Sequence, residues 1–257
     1  MYLDKIVEKH RAIAQQDTRS TKDLVARAAN VAQPRGFSDR IRTDSINALA
    51  VITEIKRRSP SRGALNQDLD PTQIAQQYEQ GGASCLSVLT DTDFFGGSTE
   101  DLQLARSSVG LPVLRKDFTV SLNDICDARI MGADCVLLIA AALSVKELTE
   151  FKKLADELSL DTLVEVHDEP ELEIALNIGA SMIGVNQRDL KTFEVDHQRA
   201  VRMAAQMPTS VVRVAESGVR TRADAQNLCD AGYHAILVGE SLVTSSNIAT
   251  SVRELRV

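Results

Sequence analysis

The chain has 257 residues, 44% of them hydrophobic and 25% charged, with a formal net charge of −7 at neutral pH. This balance describes a soluble globular protein and argues against nucleic acid or an anionic membrane surface as a partner. No run approaches the roughly 18 apolar residues of a membrane span, and MYLDKIVEKHRAIAQQ at the N-terminus has no apolar core of signal-peptide length. Four scattered cysteines, Cys85, Cys126, Cys135 and Cys229, lack any C-x-x-C spacing and read as small buried hydrophobes of a reducing cytoplasm. The four histidines show no metal-ligand spacing.

Residues 1–47 read as a helical extension, with Leu3, Ile6, Val7 and then Leu24, Val25 and Ala28 on apolar faces. It could plug one end of the fold or lean over the other; periodicity does not choose between these. From residue 48, strand-like runs alternate with amphipathic stretches. The runs are AVITEIK (50–56), SCLSVLT (84–90), LPVLRK (111–116), DCVLLIA (134–140), DTLVEV (161–166), SMIGVN (181–186), SVVRVAE (210–216) and HAILVG (234–239). Helix-like segments lie between them at about 71–80, 99–108, 121–131, 144–159, 168–178, 197–206 and 220–230, and a last one runs from about 240 to the end. Gly-Ala or Gly-Tyr recurs before alternate runs at 82–83, 132–133, 179–180 and 232–233, where a helix must end. Eight strand–helix units in this order predict an α/β fold, a single (β/α)8 TIM barrel spanning 48–257 with the helical extension before it.

In such barrels the reactive groups sit at the C-terminal ends of the strands. The odd strands here end in Glu54 and Lys56, in Lys116, in Glu165 and in Glu216, each preceded on the same face by an apolar residue: Ile52, Leu114, Leu163, Val214. The even strands end at Thr90, Ala140, Asn186 and Gly239. Five ionisable groups therefore converge on one volume. Their burial costs several kcal/mol per ion unless they pair, and it shifts their pKa values as acid–base catalysis requires. His167 follows a strand as well and reads as an ordinary residue.

The turns after strands seven and eight, Glu216-Ser217-Gly218-Val219 and Gly239-Glu240-Ser241, stand where barrels often hold a phosphate. Lys56 and Ser59, entering from strand one, are placed to complete that site. Phe94, Phe95 and Phe118 all follow strands in a chain with only six phenylalanines and no tryptophan. The stretch Asp93-Phe94-Phe95-Gly96-Gly97 reads as a flexible loop carrying an apolar wall for a ring-bearing ligand.

With these positions in hand, the chain resembles the indole-3-glycerol phosphate synthase family. The resemblance is carried by Glu54-Ile55-Lys56-Arg57-Arg58-Ser59-Pro60-Ser61, Leu86-Ser87-Val88-Leu89-Thr90, Phe95-Gly96-Gly97-Ser98, Leu114-Arg115-Lys116-Asp117-Phe118 and Gly132-Ala133-Asp134. It continues in Leu163-Val164-Glu165-Val166-His167, Asn186-Gln187-Arg188-Asp189-Leu190, Ala215-Glu216-Ser217-Gly218-Val219 and Val238-Gly239-Glu240-Ser241-Leu242. Gln187 departs from the second Asn of the family pattern, and Leu242-Val243 and Ser246-Asn247 depart near the last helix.

The resemblance implies ring closure of 1-(2-carboxyphenylamino)-1-deoxyribulose 5-phosphate to indole-3-glycerol phosphate, with loss of carbon dioxide and water and with no cofactor or metal. It implies Lys116 as the group that protonates or polarises the carbonyl, Glu165 as a base, and Lys56 or Lys116 as the acid of dehydration. Glu54 would orient the lysines, Glu216 and Asn186 would hold hydroxyls or position the amine, and Arg188 would tether the loop after strand six. Phe95, Phe118 and Leu137 would line the aromatic pocket, and Ser59, Ser217, Gly218, Gly239 and Glu240 the phosphate end. A monomer acting on a small phosphorylated molecule is expected, with an oligomer left open. The rivals are another phosphosugar barrel enzyme, which has no need of two inward lysines, and a silent phosphate-binding barrel.

Overall fold

The computed structural model describes residues 2–59, 62–189 and 192–257. Pro60, Ser61 and Leu190, which belong to the stretches quoted above, lie outside the described residues. Eight parallel strands close a barrel: β1 Ala50–Ile55, β2 Cys85–Leu89, β3 Val113–Lys116, β4 Cys135–Ile139, β5 Asp161–Val166, β6 Met182–Asn186, β7 Val212–Glu216 and β8 Ala235–Val238. β1 pairs with both β2 and β8, Ile52 lying opposite Cys85 on one side and Leu237 on the other, so the barrel itself has no edge strand.

Strand parity divides the core in two. Ala50, Ile52, Leu114, Leu163, Met182, Val212 and Val214 point inward and fill the barrel. Val51, Ile55, Val88, Val136, Val164 and Ile236 point outward into the layer beneath the helices. Most outer helices start at a residue whose side chain accepts a backbone N–H of the first turn. Asp70 does so ahead of Pro71, and full capping boxes form at Ser121 with Asp124, Ser144 with Glu147 and Thr221 with Asp224. Gly82, Gly132, Gly179 and Gly232, the recurrent glycines before alternate strands, all have φ between 72° and 100°, the left-handed conformation in which a Cβ is costly.

The N-terminal extension does both things that its sequence left open. It forms three helices, α1 Tyr2–Gln16, α2 Thr21–Ala29 and α3 Phe37–Asp44. Phe37 and Ile41 of α3 are fully buried within the inner cluster and stopper the N-terminal end of the barrel. Asp161, at the start of β5, accepts the backbone N–H of Ser38 at 2.9 Å and fixes that stopper. α2 lies on the outside, with Leu24 and Ala28 in the outer layer. α1 crosses the opposite end. Its Arg11 donates to Glu147 at 2.7 Å and to the carbonyl of Ala142 at 3.1 Å, while Lys9 pairs with Asp93.

Two expected elements differ. The final segment is broken into Glu240–Val243 and Ile248–Leu255, because Asn247 caps the second helix through Thr250 N–H. The last helix docks on the barrel: Val252 and Ala249 press against Gly81, and Leu49 N–H donates to the carbonyl of Val257 at 2.8 Å. Phe94 and Phe95 lie in a helical turn, Thr92–Phe95, and not in a loose loop, since Asp91 accepts their N–H groups at 2.6 and 3.0 Å.

Candidate active site

The parity of the odd strands brings the charged ends together at the C-terminal mouth. Lys116 donates to Glu165 Oε2 at 2.8 Å and to Glu216 Oε2 at 2.7 Å, three residues from three strands. Lys56 pairs with Glu54 beside them. Asn186, at the end of β6, donates its amide to Glu165 Oε1 at 3.2 Å and accepts the backbone N–H of Arg188 at 3.0 Å. Glu54, Glu165 and Glu216 are all buried.

Burial opposes the charge on Lys116, but Glu165, Glu216 and Glu54 outweigh it and hold the ammonium well above its usual range. Burial likewise opposes ionisation of Glu165, and Lys116 and His167 overcome it, so Glu165 titrates well below an ordinary glutamate. Glu216 goes the other way. Its burial and the nearby charge of Glu165 outweigh Lys116 and push it upward. Two carboxylates on one ammonium are thus driven apart in acidity, the arrangement from which distinct acid and base roles arise.

Small residues on the even strands make room for these groups. A Cβ on Gly184 of β6 would lie 2.1 Å from Glu216 Oε1, and one on Gly239 after β8 would lie 2.6 Å from Glu54 Oε1. Gly239, expected to let a phosphate approach, is therefore required at least as much by the carboxylate behind it.

Ser217 and Gly218 both have left-handed backbones, with φ of 67° and 80°. Gly218 cannot be otherwise, since a Cβ there would lie 2.5 Å from Val195 Cγ1. Ser217 carries a strain that side chains usually avoid, and Gln187 donates its amide to the Ser217 carbonyl at 2.8 Å to hold the turn. The departure from the family pattern at Gln187 thus has a use. Around Glu240 stand three arginines: Arg62 Nε at 3.1 Å, Arg220 at 3.5 Å and Arg188 at 3.8 Å. A carboxylate would repel a phosphate, so Glu240 can serve an anion here only by gathering these arginines. Arg188 also donates to the carbonyl of Phe193 at 3.0 Å, bracing the loop after β6.

Phe95 and Phe118 face each other at the mouth, ring centres 6.1 Å apart, with Leu137 below them. Phe94 turns away to pack edge-on against Tyr2 at 5.9 Å, outside the pocket. Apart from Phe94, the residues the sequence nominated for the site line one pocket: Glu54, Lys56, Ser59, Phe95, Lys116, Phe118, Leu137, Glu165, Asn186, Arg188, Glu216, Ser217, Gly218, Gly239 and Glu240.

Other lining residues were not foreseen. Tyr2, Leu3 and Ile6 of α1 roof the pocket, and Phe193 joins them, its ring 5.6 Å from Tyr2. Leu89 and Ile139, not Thr90 and Ala140, are the inward ends of β2 and β4. The reason is parity: counted from the inward Cys85 and Cys135, the fifth residue faces in and the sixth does not. Thr90 instead bonds Asp117 and accepts from Arg115 at 3.3 Å, and Ala140 joins the outer layer. The basic pair after β1 also serves structure, Arg57 binding Asp101 and the carbonyl of Leu69 and Arg58 the carbonyl of Thr92. His167, read as ordinary, lies with Nε2 3.3 Å from Glu165 Oε1 and Nδ1 3.0 Å from Glu171 Oε2. Its signal was local: a histidine two residues past one glutamate and four before another.

Among the described residues, His10, Asp91 and Asp117 bring one ligand atom each within 4.8 Å of one another. Their atoms are already engaged: Asp91 caps a helical turn and accepts from His10 at 3.0 Å, and Asp117 takes Arg115 at 3.0 Å. The cluster clips α1 to the mouth.

Fold and site together define a class, a (β/α)8-barrel enzyme with a buried lysine–carboxylate set at the C-terminal mouth. A solved thiamine phosphate pyrophosphorylase from Pyrococcus furiosus shares the fold with a TM-score of 0.59 at 15% identity, over 82% of this chain and 95% of its own. Sequence comparison is more specific. Residues 3–255 match the family model for indole-3-glycerol phosphate synthase. An indole-3-glycerol phosphate synthase of Chloroherpeton thalassium is 46% identical over 96% of both chains. One from Chlorobium luteolum is 45% identical over 96% of this chain and 95% of its own. The chain belongs to the indole-3-glycerol phosphate synthase family.

Proposed function

We propose that the chain is a carboxy-lyase converting 1-(2-carboxyphenylamino)-1-deoxyribulose 5-phosphate to indole-3-glycerol phosphate, carbon dioxide and water, a step of tryptophan biosynthesis. The observation that carries the chemistry is Lys116, held protonated between Glu165 and Glu216 at 2.8 and 2.7 Å. Ring closure needs a cation at the ribulose carbonyl: as the carboxylate-bearing ring carbon forms the new C–C bond, the carbonyl oxygen takes a proton from Lys116. Loss of carbon dioxide returns the electron pair to the ring and restores aromaticity. Dehydration then removes the hydroxyl as water. Glu165 takes the proton from the neighbouring carbon, and Lys56 or Lys116 supplies the proton to the leaving oxygen. The atoms balance with no oxidant or reductant.

Glu54 aims Lys56 into the pocket, and Glu216 with Asn186 holds the amine or hydroxyls. Phe95, Phe118 and Leu137 support the aromatic ring. Ser59 and the Ser217–Gly218 and Gly239 turns take the phosphate, drawn in by the arginines around Glu240. We take the monomer as the working unit, and the buried Cys85 and Cys135, which form no disulfide, suit a reducing cytoplasm.

The test is direct. Purified protein incubated with the carboxyphenylamino substrate should develop indole absorbance and fluorescence, undiminished by a chelator, and gel filtration reports the oligomeric state. A protein that binds the substrate but forms no indole would be a silent barrel.

A further inference from the structure

The reading of Glu165 as the base leaves its other oxygen unexplained. Oε2 faces Lys116, while Oε1 receives Asn186 at 3.2 Å and stands 3.3 Å from Nε2 of His167. The imidazole is itself gripped from behind. Glu171, one turn into the helix after β5, accepts the His167 backbone N–H at 2.7 Å and faces Nδ1 at 3.0 Å through the same oxygen. Nδ1 is hydrogen-bonded to Glu171, whereas Nε2 lies within ion-pair reach of Glu165 without a hydrogen bond, and only an imidazolium presents a proton to both carboxylates.

We propose that His167 is a positioning residue for Glu165: anchored by Glu171, its imidazolium holds Oε1 so that Oε2 stays on Lys116 and the substrate, and it keeps the Lys116 proton from passing to Glu165. This rests on the assignment of Glu165 as base. The charged groups facing the ring are Glu165 from β5 and Glu171 from the following helix, with Lys116 of β3 beyond Glu165; β6 contributes the neutral Asn186. Burial alone would lower the imidazole, but Glu165 and Glu171 raise it to about 10.

The consequence is a third cation that strand ends alone do not supply. Lys56, Lys116 and His167 stand among four carboxylates, Glu54, Glu165, Glu216 and Glu171. With cations on both of its oxygens, Glu165 is a weak base toward Lys116, and the proton remains on the lysine until the carbonyl oxygen takes it.

The test follows kcat and KM against pH for wild type, His167→Gln, Glu171→Gln and Glu165→Gln. His167 loses its proton as pH rises through about 10, so the kcat of wild type should exceed that of His167→Gln about tenfold at neutral pH, with KM little changed, and the difference should fade through that window. Glu171→Gln removes one of the two carboxylates that hold the proton and should bring the fade to lower pH. A difference that does not fade there, or no fall in kcat, overturns the proposal.

Glu165→Gln separates the two readings. If it keeps wild-type kcat, the assignment of the base fails; if it is inactive while His167→Gln matches wild type, only the role of His167 fails. Nitrogen NMR of the imidazoles in unaltered protein gives a test independent of variant folding, with signals assigned by replacing His10, His197 and His234 in turn. The His167 ring should be doubly protonated at about pH 8, where a free histidine is neutral. A neutral ring there overturns the proposal.

Discussion

Gly184→Ala adds one methyl group to the site and replaces none of its charged residues. The new Cβ would stand 2.1 Å from Glu216 Oε1 and 3.2 Å from both its carboxyl carbon and Leu163 Cδ1. Gly184 has no left-handed backbone, so the chain itself accepts alanine without strain. What must give is the tip of Glu216, by about 1.3 Å, from 2.1 Å to the 3.4 Å at which ordinary contact begins. That tip also holds Lys116 at 2.7 Å. Folding should therefore lose only about 1–3 kcal/mol, the range for an extra methyl in a packed interior. Activity should lose more: displacing a catalytic group by about 1 Å costs on the order of a hundredfold. Thermal melting and indole fluorescence measured on the same preparation read the two effects separately. A variant with wild-type kcat would refute the claim that Glu216 must sit where it does. One whose loss of activity simply tracks its loss of folded protein would refute the claim that the methyl acts through the carboxylate. In Gly184→Ala/Glu216→Gln the losses in kcat should not add, because both changes act on one pair.

Lys116→Ala should lose at least about a hundredfold in single-turnover rate, the lower range for removing a general acid, while still binding product by fluorescence titration. Ser217→Asp should raise KM by placing a carboxylate against the phosphate turn, and an unchanged KM would move the phosphate elsewhere. Removing residues 1–16 should leave a folded barrel with a higher KM, read by circular dichroism and kinetics, since α1 supplies Tyr2, Leu3 and Ile6 to the roof. Phe37→Ala should by contrast cost about 3–5 kcal/mol in urea unfolding, with the stopper hollowed out. For His167, the folded pKa is raised from 6.5 to about 10. Its charge therefore stabilises the fold fully below the unfolded value, and this contribution fades as pH rises through about 10. The melting difference between wild type and His167→Gln should shrink over that alkaline window.

Most of the barrel was legible because its signals are local. The alternation that put Ile52 inside and Val51 outside also told which faces Glu54, Lys116, Glu165 and Glu216 would share. The same counting misplaced the ends of β2 and β4 when the last residue of each run was read in place of the inward one, Leu89 and Ile139. The roof was illegible for another reason. An apolar stripe containing Leu3 and Ile6 demands a partner but does not name it, and the partners, Phe193 among them, lie far along the chain. Gln187 could be seen as a departure but not as the prop of Ser217, since that contact spans two loops. His167 was visible between two glutamates in sequence, and only the distances to both carboxylates reveal its situation.

The stopper formed by Phe37 and Ile41 has a consequence for traffic. With both side chains fully buried among Cys85, Leu114 and Cys135, the barrel is a vessel open at one end. Among the described residues, substrate and product pass by the opposite end, which α1 crosses. The helix that crosses the mouth therefore lies on the path by which substrate arrives and product departs.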